Sequence, residues 1–147
     1  MSCRLAVVAL VGALVLAGCG SKPLSSGELQ SQATRVCTLA SQQTNRIRTP
    51  ASPAGTAVFL RQGIAVLTPA LAQLRRLRAP SDVAEVYTAS VKAFAEKLGF
   101  LRAAERDIAG GQDPVAAMQT LQEQLSPIVS QENGGWQALD IPACINH

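Results

Sequence analysis

The chain has 147 residues and a nearly balanced charge, 13 Lys and Arg against 10 Asp and Glu. That balance, with only one Trp, one Tyr and three Phe, gives no footing to a nucleic-acid partner, which needs clustered basic charge. The single histidine is the terminal His147, so a base–nucleophile pair lacks its usual base. Gly-x-Ser-x-Gly, Gly-rich phosphate-loop and His-Glu-x-x-His motifs are also missing. The sequence therefore reads as non-enzymatic, with no cofactor and no metal.

At the N-terminus, Arg4 precedes an apolar run over residues 5–16, which ends in Leu16-Ala17-Gly18-Cys19. As a helix that run reaches roughly 18 Å, well short of a bilayer core of about 30 Å. A removable signal fits better than a permanent span. The four residues and the run before them resemble the lipobox of bacterial lipoprotein precursors. The resemblance implies that residues 1–18 are a signal peptide cleaved after Gly18. It further implies a diacylglyceryl, palmitate-type modification on the Cys19 sulfur. Two or more acyl chains anchor a protein stably. The expected location is the extracytoplasmic side of the cell membrane, with the membrane as partner through Cys19.

Removing residues 1–18 from 147 leaves 129, enough for one domain with a real core. Cys3 leaves with the signal and Cys19 carries lipid. Cys37 and Cys144 remain, and in an oxidising compartment they are expected to pair. Neither has a nearby His or second Cys to complete a metal site.

Residues 19–26, CGSKPLSS, read as a flexible tether, and 27–147 as a helical domain. Ser25-Ser26-Gly27-Glu28 is a capping box that starts the first helix. Leu29, Ala33, Val36, Ala40 and Ile47 form its apolar stripe, and the prolines at 50 and 53 mark the loop after it. The second helix is expected over about 55–78, striped by Leu60, Ile64, Leu67, Leu71 and Leu74, with Pro69 kinking it. The third begins near Ser81-Asp82 and runs to Gly110-Gly111, with Tyr87, Val91, Phe94, Leu98 and Ile108 facing inward. Asp113-Pro114 starts the fourth, striped by Val115, Met118, Leu121, Leu125 and Ile128 and kinked at Pro127. Asn133-Gly134-Gly135 is expected to break it, leaving Trp136 and Leu139 on a last short turn.

Short loops between such helices predict an all-α, up-down-up-down four-helix bundle, with the second and fourth helices Pro-kinked. A Cys within the first helix, a Leu-Arg-rich second helix ending Leu77-Arg78-Ala79-Pro80, and Leu139-Asp140-Ile141-Pro142-Ala143-Cys144 resemble small secreted or lipid-anchored helical proteins of actinobacteria. That resemblance implies fold and location, and no activity.

Arg75, Arg76 and Arg78 form the one charge cluster, a candidate membrane-facing site if the second helix descends toward the lipid. The functional expectation is a binding or interaction module that engages an envelope protein or other envelope component. The alternative is a small-ligand or lipid carrier with an apolar pocket between the kinked helices.

Overall fold

The computed structural model describes residues 22–145, so the lipobox, Cys19 and His147 lie outside the described residues. The described chain is all-helical: α1 (Ser26–Thr44), α2 (Thr56–Leu74), α3 (Ala84–Ala109) and α4 (Pro114–Ala138), with 3₁₀ turns at Pro53–Gly55 and Pro142–Cys144. The four helices pack against one another as an up-down-up-down bundle.

α1 starts at the expected capping box. The Ser25 amide donates to Glu28 Oε2 at 2.8 Å, and the Glu28 amide donates to Ser25 Oγ. The bond from the Ser25 backbone holds the Glu28 carboxyl below its ordinary range. Leu29, Ala33, Val36, Cys37 and Ala40 form its buried stripe. The helix stops at Thr44, earlier than the stripe to Ile47 suggests, and Ile47 is only half-buried beyond its end.

The chain enters the fold sooner than a tether over 19–26 implies. The Leu24 amide donates to the Arg78 carbonyl at 2.9 Å, and the Leu24 side chain packs on the core. This contact also sets the start of α1 beside the end of α2.

α2 is one helix through Pro69, and its buried face is Leu60, Leu67, Ala70, Leu71 and Leu74. It ends at Leu74, four residues before the expected Arg78. Tight i→i+3 bonds from Arg76 to Gln73 and from Leu77 to Leu74 close the last turn, and Pro80 then bars helix at residue 79. Residues 81–83 form a turn, so Asp82 precedes α3 and is not its first residue. Gly111 takes a φ of 102° just past the end of α3, a left-handed conformation suited to glycine.

At the start of α4, Asp113 accepts from the Ala116 amide at 2.9 Å and Pro114 fills the first turn. The break expected at Asn133-Gly134-Gly135 does not occur, and α4 continues to Ala138. Gly135 instead marks a close helix crossing. A Cβ there would collide with Ser90 Oγ and stand 3.2 Å from Ser90 Cβ.

After α4 the backbone turns through Asp140, at φ 54°, and the Ile141 amide donates to the Trp136 carbonyl. The Pro142–Cys144 turn then lies against α1. Close backbone approaches join α1 to α2, α2 to α3 and α3 to α4, while this turn, and not α4, closes the α1 side. Cys144 forms a disulfide with Cys37 there, with Cα atoms 5.1 Å apart, and both residues are buried. Gln30 Nε2 donates to the Leu139 carbonyl at 3.1 Å on the same side. One core cluster centres on Phe94, Leu98 and Trp136, and a smaller one joins Leu60, Ile108 and Leu121 at the far end.

Candidate functional site

Two grooves and one buried ion pair hold the chemistry that the core does not consume. The grooves lie toward opposite ends of the bundle. The first sits where the chain enters the fold, between the end of α2 and the start of α3, with a volume of about 470 Å³. Arg75, Arg78 and Lys92 line it together with Leu77, Ala84 and Val91. Tyr87 forms part of its wall. Its hydroxyl donates to the Leu74 carbonyl at 2.7 Å, its ring meets the edge of Trp136 at 5.9 Å, and burial pushes its phenol well above the ordinary value.

The arginine cluster is therefore split. Arg75 and Arg78 share one groove, whereas Arg76 lines a smaller depression of about 260 Å³ with Arg35 and Gln32. All three lie beyond the end of α2 at Leu74, so the split follows from the turn over 75–76 and the irregular stretch after it, not from helical spacing. Lys92, on α3, joins the pair only through the fold.

The second groove is larger, about 780 Å³, and runs along α4 from Pro114 to Ser130, facing Pro53 and Thr56. No residue lining it carries a charge. Val115, Met118 and Leu125, expected in the core, line this groove, and Val115 is 52% exposed. The residues of α4 that enter the core are Ala117, Leu121, Glu132 and Trp136. The expected stripe thus straddles the boundary: Leu121 is buried in the core, Met118 and Leu125 pack partly against it, and Val115 is exposed.

The buried pair was not anticipated. Lys97 Nζ lies 2.7 Å from Glu132 Oε2, and 4.8 Å from the centre of the Phe94 ring. Trp136 Nε1 donates to Glu132 Oε1 at 3.4 Å. Burial raises the Glu132 pKa, while Lys97 and Trp136 pull it back down. The signal in sequence was phase: Lys97 follows Phe94 by three and Glu132 precedes Trp136 by four, which places both on inward faces.

The stretch Pro53–Leu74 is long and apolar enough, by length and composition, to cross a membrane. Within the fold its Leu60, Leu67, Leu71 and Leu74 are core residues, and the helix packs against α1 and α3. No family model matches the chain, and no curated protein or solved structure does.

Proposed function

We propose that the chain is the precursor of a lipid-anchored, extracytoplasmic, non-enzymatic interaction module. Residues 16–19 supply the anchor and the bundle supplies the binding surface. The observation that carries the binding part is the groove along α4. It is mainly apolar, uncharged and open to solvent, and it lies toward the end of the bundle opposite the tether. Its fitting partner is an uncharged, apolar-faced segment of another envelope protein, such as one face of an amphipathic helix. Both principal grooves are open surfaces and not enclosed cavities, which favours this reading over the small-ligand carrier.

A photocrosslinking amino acid placed at Met118 in the anchored protein tests it, with the same group at exposed Glu123, outside the groove, as control. The reading predicts a discrete protein adduct from position 118 that is lost when Val115→Lys is added. Adducts to lipid alone from position 118 support the carrier, and equal adducts from both positions contradict a groove-specific partner.

A further inference from the structure

We infer that the groove between the end of α2 and the start of α3 docks the headgroup of one anionic phospholipid. Arg75, Arg78 and Lys92 would meet the phosphate, and Leu77, Ala84 and Val91 would meet the first carbons of the lipid chains. The inference rests on the anchor reading for the source of the lipid.

Three observations carry it. The groove combines three cations with an apolar wall, and no acidic side chain lines it. That combination suits an anionic amphiphile better than a simple ion or a neutral chain. Lys92 is held only loosely elsewhere: its ion pair with Glu96 is 3.8 Å long and its side chain is 76% exposed. Turning toward the groove therefore breaks little.

The third observation is position. The chain enters the fold against this groove, through the bond from the Leu24 amide to the Arg78 carbonyl. Five residues from Cys19 to Leu24 span at most ~18 Å. An anchored domain would thus keep the groove within reach of headgroups, while the α4 groove stays turned away. The volume of about 470 Å³ lies within the usual range for small-molecule sites.

Arg76 supplies an internal control, because it lines a different depression. General attraction of a basic patch to an anionic surface would use all three arginines alike. A headgroup site would use Arg75, Arg78 and Lys92 and be indifferent to Arg76.

The test uses the protein as it is isolated from the membranes of the cells that make it, in a non-ionic detergent. It is titrated with short-chain phosphatidylglycerol, with matched phosphatidylcholine and with inorganic phosphate. Trp136, the single tryptophan, touches Tyr87 in the groove wall, so its emission reports occupancy. The expected result is a saturable, salt-sensitive response to phosphatidylglycerol alone. Near an anionic surface a basic residue gains ~1 kcal/mol, about fivefold per cation, so the Arg75→Gln/Arg78→Gln/Lys92→Gln variant should bind about 100-fold more weakly. Arg76→Gln should bind as wild type does.

No response to phosphatidylglycerol, or an equal response to phosphatidylcholine, would overturn the inference. So would equal weakening by Arg76→Gln. A response to inorganic phosphate as strong as that to the lipid would show a free-anion site instead. The outcome is separable from the anchor reading, because the lipid state of Cys19 is read independently by mass.

Discussion

Lys97 and Glu132 meet at 2.7 Å between α3 and α4, with side chains only 6% and 1% exposed. Both charges sit among Phe94 and Trp136, where leaving either one alone is costly. Lys97→Met should destabilise the fold by about 3–5 kcal/mol, since it strands the Glu132 carboxylate. The double variant Lys97→Met/Glu132→Leu should recover most of that loss, or exceed wild type, because an apolar pair of similar volume needs no desolvation of charge. Urea unfolding of the two single variants and the double variant checks this. A double variant as unstable as Lys97→Met would show that the pair contributes more than charge compensation.

The same site gives a pH dependence. Burial lifts the Glu132 carboxyl above its ordinary 4.5, against the pull of Lys97 and Trp136. Between 4.5 and that raised value the folded state binds more protons than the unfolded state, so this group's contribution to stability falls as pH rises. Measured against Glu132→Gln, wild type should lose stability upward from pH 4.5 and level off above the raised folded value. Lys97→Met removes a lowering charge and should extend that decline to higher pH. Parallel stability curves for wild type and Glu132→Gln would contradict the assignment.

Adjacent glycines in α4 should respond in opposite directions. A Cβ on Gly134 meets open space, so Gly134→Ala should stabilise by about 0.5–1 kcal/mol through helix propensity. A Cβ on Gly135 runs into Ser90, so Gly135→Ala should destabilise by about 1–3 kcal/mol from overpacking. Ser90→Ala removes the colliding oxygen and should return part of the loss. Thermal unfolding of the set decides it; equal effects at 134 and 135 would mean that the crossing is not close.

The disulfide joins residues 107 apart in sequence, from the middle of α1 to the C-terminal turn. In the chain-entropy model a loop of that length contributes about 4–5 kcal/mol. Cys37→Ala/Cys144→Ala should lose roughly that much, and reduction should destabilise wild type while leaving the double variant unchanged. A variant as stable as wild type would show that the turn docks without its covalent tie.

Much of the fold was legible because local signals and burial agreed. The Ser25–Glu28 box, the Asp113-Pro114 start and the inward stripes of α1 to α3 follow from capping and a period of 3.6. Misreadings arose where tertiary contact decided the outcome. Gly134-Gly135 resembles a helix stop, yet Gly135 is required by the approach of Ser90. Glu132 and Lys97 carry inward phase, but only the packing of α3 on α4 brings the two charges together in the core. In α4 the expected stripe reaches the core at Leu121, with Met118 and Leu125 packed partly against it, while Val115 is exposed in the groove and small Ala117 packs inward beside them. The basic groove was half visible: Arg75 and Arg78 stand close together in sequence, while Lys92 is supplied only by the packing of α3 on α2.

The anchor is the claim on which the orientation of both grooves depends. Its most direct measurement is the intact mass and N-terminal peptide mass of the protein isolated from membranes of the cells that make it. The account predicts a chain that begins at Cys19 and carries a diacylglyceryl mass on that residue, with Cys19→Ala left as an unmodified, uncleaved precursor. A mature N-terminus at another position, or Cys19 with no added mass, would contradict it.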